Sequence, residues 1–392
     1  MRKVIIASAV RTAIARFQGA LIPLSATELG SAVIREAVRR AFIPEAAVDE
    51  VLMGNVLSAG LGQAPARQAA LGAGLPDRVP CTTLNKVCGS GLKTVMMAAQ
   101  AIALGDAEIV VAGGMESMSH APYLLDRART GYRLGDGKLI DSLIHDGLWD
   151  VYNDFHMGEA AEQCVTAYKL SRAEVDEYAI ESYTRARDAQ QKGNFIREIL
   201  PLSVKNRKGV HDFLEDEELT RVNFDALRRL KPAFIPEGRV TAGNASPLSD
   251  GASALVLMSE KAAKKRGSPI LARIAGYAGT ATAPARFTTA PVAAIRSVLK
   301  KTNLRLSEID FFEINEAFAA SSIAVMKDLQ LDSAKVNPRG GAIALGHPIG
   351  ASGSRILTTL LHLLEDQQRK RGIASLCIGG GEAVALLVER DN

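Results

Sequence analysis

Apolar and polar positions follow two different rhythms along the first 117 residues. Short apolar runs bounded by Gly, Pro or Asp read as strands. The longer stretches between them carry apolar residues every third or fourth position, the spacing of an amphipathic helix. Val4-Ile5-Ile6-Ala7 is the first such run. Thr27 to Ala41 follows, with apolar residues at 29, 33, 34, 37, 38 and 41, a helical stripe for which Thr27 is the expected N-cap. Asp49 to Val56 returns to strand. The alternation predicts an α/β fold.

One unit recurs. A strand at Val79 to Leu84 turns at Cys88-Gly89-Ser90-Gly91 into a helix with Leu92, Val95, Met96, Ala99, Ile102 and Ala103 on one face. It closes with the strand Ile109 to Ala112 and the turn Gly113-Gly114-Met115-Glu116. Near the C-terminus Gly350-Ala351-Ser352-Gly353 opens a helix carrying Ile356, Leu357, Leu360, Leu361 and Leu364. The strand Ala374 to Ile378 and the turn Gly379-Gly380-Gly381-Glu382 follow. Glycine turn, apolar helix, strand and glycine turn recur in order, which predicts two halves of one architecture. From about Ser119 to Ser249 the rhythm lapses; this stretch of mixed polarity reads as a long insertion laid over the core.

Composition narrows the function classes. The 392 residues exceed one ordinary core, and 47% hydrophobic with 23% charged residues is the profile of a globular chain. A net charge of +4 is small for this length. It does not announce a nucleic-acid binder and would suit an anionic small molecule. The four cysteines at 81, 88, 164 and 377 show neither disulfide nor zinc spacing, so no metal is expected. The N-terminal run reads as a strand and not as an export signal, and no apolar run reaches a membrane span, so a reducing cytoplasmic setting is expected.

Candidate chemistry lies in the turns. Cys88 stands before an apolar helix, where unpaired N–H groups and the helix dipole bias a thiol toward thiolate. His347, between Gly346 and Pro348 in a glycine-dense loop, is a candidate general base. Cys377 ends the strand of the second repeat, and Asn315 follows the strand Phe311 to Ile314. Taken singly, each admits a plainer role: a buried cysteine, a turn histidine, an apolar strand cysteine, a helix cap.

Taken together they do not. Asn85-Lys86-Val87-Cys88-Gly89-Ser90-Gly91, Asn315-Glu316-Ala317-Phe318, Gly346-His347-Pro348 and Cys377-Ile378-Gly379-Gly380-Gly381 resemble the four signature segments of the thiolase family, in the family's order and separations. The resemblance implies an α/β thiolase fold: a five-layered αβαβα core of two similar halves with an inserted, CoA-binding loop domain. The corresponding division is 1–118, first part of the N-terminal half; 119–249, loop domain; 250–270, return to that half; and 271–392, C-terminal half.

The resemblance also implies a reaction and its residues. Cys88, with its proton taken by His347, would attack an acyl-CoA thioester and carry the acyl group. Cys377 would then deprotonate a second acetyl-CoA. His347 and a water held by Asn315 would form the oxyanion hole for the enolate, and the N–H groups of Cys88 and Gly379 a second hole. Ala242 and Ser246, in Ala242-Gly243-Asn244-Ala245-Ser246, would line the CoA channel, and Met157, Ala317 and Phe318 the acyl pocket. Pro247 stands where the family usually has glycine, and Leu219 where some members have a basic residue near the nucleotide. Lys205, Arg207, Lys208, Arg221, Arg228 and Arg229 are candidate substitutes for that residue, against the plainer reading of a solvated charged surface.

Phe155-His156-Met157-Gly158 and Leu134 to Asp141 resemble the short-chain branch, in which His156 contacts the acyl thioester and residues 125–142 join a homotetramer. The expected reaction is reversible condensation of two acetyl-CoA to acetoacetyl-CoA and CoA, with CoA thioesters as substrates and no cofactor. The alternative is a 3-ketoacyl-CoA thiolase of longer-chain specificity. Neither nucleic acid nor membrane is an expected partner.

Overall fold

In the computed structural model, which describes residues 2–206 and 209–391, the apolar runs of the first half become β1 (Val4–Thr12), β2 (Glu50–Gly54), β3 (Cys81–Leu84), β4 (Ile109–Ser117) and, after the insertion, β5 (Ser249–Ser259). Between them lie α1 (Ala26–Arg40), α2 (Pro65–Gly72) and α3 (Ser90–Leu104). The insertion supplies α4 (Met157–Ala167) and α5 (Arg172–Gln191). The second half then repeats the series as β6 (Ala272–Ala281), α6 (Ala290–Thr302), β7 (Phe311–Ile314), α7 (Ala319–Leu329), α8 (Ser352–Asp366), β8 (Arg371–Ile378) and β9 (Glu382–Glu389). The counterpart of β3 shrinks to a single parallel bridge, Phe312 to Val336.

Strand order is β3-β2-β4-β5-β1-β6-β9-β8-β7, nearly mirror-symmetric about the β1–β6 junction. In each half the early strands pair in parallel, β2 with β3 and β4, β7 with β8. The late strand pairs antiparallel, β5 with β4 and β1, β9 with β8 and β6. Among the described residues the two half-sheets share just two ladder pairs, Ile5–Arg273 and Ile6–Ala272, so the surface folds there into two sheets facing a common layer.

That layer is α3 and α8. Leu92, Val95, Met96, Ala99 and Ile102 of α3 share one buried cluster with Ile356, Leu357, Leu360, Leu361 and Leu364 of α8. A fully buried side chain of this size contributes about 1.5–3 kcal/mol. The helices meet through glycine: a methyl on Gly91 would lie 2.8 Å from Ser354 N, and one on Gly353 2.3 Å from Leu92 N. Outside the sheets, α1 and α2 pack on the first and α6 on the second, while Val325 and Leu329 of α7 share a buried cluster with Phe312, Ile314 and Ile373 of that sheet, which completes five layers.

Two sequence expectations change. The N-cap of α1 is Ser25, which accepts from Glu28 N while Glu28 Oε2 receives Ser25 N at 2.8 Å, a capping box. Thr27 already faces the core and is itself buried. Val87–Leu104 is, by length and composition, long and apolar enough to cross a membrane. In the fold its helix forms the central layer, where apolarity on every side is what two sheets demand.

The insertion is stitched to the core. Its helices α4 and α5 pack on α7 of the second half. Arg11 of β1 is fully buried and pairs with Glu198 at 2.7 Å and Asp216 at 2.7 Å. Such a buried ion pair offsets its own desolvation only when each partner is also hydrogen-bonded. Asp216 meets that condition by accepting from Ile14 N at 2.8 Å.

Candidate active site

A cavity of about 700 Å³ opens where the two halves and the insertion meet. Cys88, His347 and Gly379 line it, together with His156, Met157, Ala242, Ser246, Ala317 and Phe318. Two of the predicted residues, Cys377 and Asn315, are buried behind the wall. Residues from six separate stretches of sequence therefore converge.

Cys88 reaches the cavity because the chain turns sharply before α3. Val87 adopts φ +46°, a conformation costly for a β-branched side chain, by about 1–3 kcal/mol. The turn is tied by Ser90 Oγ, which donates to Val87 O at 2.7 Å and accepts from Lys86 N at 2.8 Å. Lys86 pairs with Glu382 from the other half. The expectation of a thiolate-biased Cys88 is overturned. Burial pushes the thiol up to about 11, against the opposing pull of the N–H groups of Gly379 and Cys88 itself. Desolvation wins over the helix start, so Cys88 rests as a thiol and needs a base.

His347 is such a base. Its backbone N–H donates to Pro247 O at 3.3 Å, so the proline in place of glycine leaves the acceptor in use unaltered. Ser352 Oγ donates to Pro348 O at 2.9 Å and lies 2.5 Å from His347 Nδ1. The hydroxyl has one hydrogen, so both contacts are hydrogen bonds at once when it goes to Pro348 O and Nδ1 donates to Oγ. Nε2 is then left as a lone pair with no partner among the described residues. Burial, reinforced by Arg355, pushes His347 down to about 3, so it is neutral at physiological pH.

Cys377 ends β8, and burial raises its thiol well above the usual range, with the nearby Cys88 adding to the effect. Asn315 continues β7, and both polar atoms of its side chain are buried without a partner among the described residues. A buried amide in that state is matched to a water or a ligand oxygen. Glu316 beside it plays another part: it accepts from Tyr178, Ser182, Asn337 and Ile343 N, tying α5 to the His347 loop.

The channel residues are placed by backbone pairing. Ser246 N donates to Ala317 O and Ala319 N to Asn244 O, both at 2.9 Å. His156 caps α4, its Nδ1 accepting from Gly158 N at 3.0 Å, so its Nε2–H is free to donate. Its ring stacks on Phe234 at 4.8 Å, and Phe234 meets Phe318 edge-on at 6.2 Å. Of the proposed substitutes near the nucleotide, Arg228 pairs with Glu177, and Arg207 and Lys208 lie outside the described residues. Leu219 is core, not channel.

Sequence reasoning missed Ser352 as a partner of His347, although it stands in the glycine turn that opens α8. It also missed Phe234, for which the sequence carries no signal. Among the described residues no cluster of His, Cys, Asp and Glu suits a metal ion, and all four cysteines are free.

The chain is similar to known proteins along its whole length. A family model described as "Thiolase, N-terminal domain" matches residues 4–261, and one described as "Thiolase, C-terminal domain" matches residues 268–390. The chain is 53% identical to an acetyl-CoA acetyltransferase of Pseudomonas aeruginosa and 52% identical to one of Escherichia coli, with all of each chain covered. The crystal structure of the Bacillus anthracis acetyl-CoA acetyltransferase matches with a TM-score of 0.97 at 44% identity over 99% of both chains. Two family models that together span nearly the whole chain, and relatives more than half identical to it over their full length, show that the chain belongs to the thiolase family.

Proposed function

We propose that this thiolase is an acetyl-CoA C-acetyltransferase, reversibly joining two acetyl-CoA into acetoacetyl-CoA and CoA. The observation that carries the mechanism is the free Nε2 of a neutral His347 in the cavity that Cys88 lines. His347 takes the Cys88 proton as sulfur attacks the thioester carbonyl. The carbon–sulfur bond to CoA breaks, and the departing CoA thiolate takes the proton of Cys377. Acetyl-Cys88, imidazolium and a Cys377 thiolate remain.

That thiolate sits where burial disfavours charge, which makes it a strong base. It removes a methyl proton from the second acetyl-CoA. Imidazolium and a water on Asn315 donate to the enolate oxygen, and the N–H groups of Cys88 and Gly379 to the tetrahedral oxyanion. The new carbon–carbon bond expels Cys88, which recovers its proton from His347. All protons balance, and no resident cofactor is called for.

The insertion serves as the CoA-binding loop domain in this reading. His156 donates to the short acyl thioester through Nε2, and Met157, Phe318 and the Phe234 stack bound the acyl pocket. The short-chain reading is supported by full-length relatives named acetyl-CoA acetyltransferase. A homotetramer is supported by the segment around Leu125, Leu134 and Leu139, which are exposed apolar side chains, Leu134 fully so. A reducing cytoplasm suits a mechanism that needs two free thiols.

Incubation with acetyl-CoA followed by peptide mass spectrometry is expected to find the acetyl group on Cys88; label elsewhere overturns the mechanism. Turnover of acetoacetyl-CoA is expected to exceed that of longer 3-ketoacyl-CoAs, and the reverse order overturns the short-chain assignment.

A further inference from the structure

Glu116 is a fully buried carboxylate that neither lines the cavity nor takes part in any step above. It sits near the end of β4 and collects four N–H donors. Oε1 accepts from Asn55 Nδ2 at 2.8 Å and Leu57 N at 3.2 Å. Oε2 accepts from Val56 N at 3.0 Å and Gly350 N at 2.9 Å. The first three donors belong to the loop after β2, in the half that carries Cys88. The fourth belongs to the other half, three residues beyond His347.

The Gly350 peptide is held from its other side as well. Its carbonyl oxygen lies against Gly54, Gly91 and Gly114, where an added methyl would come within 2.8, 3.0 and 2.0 Å of it. Between Gly350 and His347 stand only Pro348, whose ring fixes φ, and Ile349, fully buried against Val56 and Leu57. Just beyond Gly350 comes Ser352, which holds Nδ1. A peptide pinned at Gly350 thus pins both ends of the imidazole's support.

We propose that Glu116 is a positioning residue for the general base, its carboxylate locking the His347–Ser352 loop onto the half that carries Cys88 and so setting the reach from Nε2 to the thiol. The inference rests on His347 acting as that base. The chemistry demands a carboxylate: two oxygens that only accept face four N–H groups, whereas a glutamine would turn an NH2 toward two of them. Burial pushes Glu116 up to about 7, and backbone N–H groups oppose that push. An ionised acceptor makes the stronger bond to each donor.

The test is acetoacetyl-CoA thiolysis by Glu116→Gln, with kcat expressed per reactive Cys88 counted by iodoacetamide labelling and mass spectrometry. A shift of the base costs turnover and not binding, so kcat per site is expected to fall roughly 10- to 100-fold, with KM within about threefold because no cavity residue changes. A merely structural role would lower melting temperature and the number of reactive sites while leaving kcat per site at the parental value, and that result overturns the proposal. Where Glu116→Gln yields no folded protein, Gly350→Ala probes the same contact with the carboxylate intact, since its methyl would stand 2.8 Å from Glu116 Oε2. The same loss of kcat per site is expected, and a parental value again overturns the proposal. His347→Ala in the same assay separates the two readings. If it is inactive while Glu116→Gln or Gly350→Ala keeps parental kcat per site, only the positioning role fails; if it stays active, the base assignment fails first.

Discussion

The Cys88 turn precedes α3 and the His347 turn precedes α8, so the two hold the same place in the two repeats. Cys88 keeps some contact with the cavity, on a turn whose Val87 is forced to positive φ and whose tie to the other half is the partly exposed Lys86–Glu382 pair. His347 is buried in a glycine loop with Ser352 at Nδ1 and Glu116 at Gly350. Burial moves both groups away from charge, the thiol up and the imidazole down. Two neutral partners result, and the loops differ in what each must do. The first presents an atom to substrate, whereas the second holds a lone pair still.

The largest expected effect comes from breaking the exposed loop's chemistry. Cys88→Ala should lower kcat about 10⁴-fold or more while CoA still binds, measured by thiolysis rate and titration calorimetry. His347→Ala should cost roughly 10²–10⁴-fold, the span for a lost general base. It should also change how Cys88 alkylation depends on pH. Without the imidazole the rate should climb about tenfold per pH unit from 7 to 10, as expected of a thiol titrating near 11; in the parent the climb should be flatter. Identical profiles in the two proteins would show that the loops do not cooperate.

Gly353→Ala tests whether the halves must touch. Its methyl would meet backbone 2.3 Å away, and an overpacking cost of about 1–3 kcal/mol should appear as a lower melting temperature.

A smaller effect follows from His347 itself. Its pKa is lowered on folding, so below about pH 6.5 the unfolded chain gains a proton that the folded one refuses until about pH 3. Stability from this group is therefore present above 6.5 and declines as pH falls, by about 2 kcal/mol at pH 5. Urea midpoints of parent and His347→Asn should diverge between pH 7 and 5. The smallest change belongs to Glu382→Gln: a partly exposed pair contributes little, and kcat should stay within about threefold.

Much of this was legible in the sequence because period and turn chemistry are local. The stripe of α1, the repeat of glycine turn, apolar helix and strand, and the four motif segments each lie within a short window. What was not legible depended on distance. The thiolate bias assigned to Cys88 followed from its neighbours in sequence, whereas its actual proton affinity is set by what buries it. Phe234 stacks on His156 from a segment with no periodic signal. The start of α1 was displaced by two residues because a capping box with Glu28 competes with Thr27, which the core claims.

The glycine contact between α3 and α8 also bears on how the chain reaches its working state. Neither half alone can cover the central helix it contributes, since each helix faces both sheets. A chain with one half formed exposes a broad apolar face, the kind of intermediate that makes long chains prone to aggregate. Docking the halves is then the step that hides this face and the step at which thiol first meets imidazole. Until it happens, a nascent or partly folded chain carries its sulfur without its base.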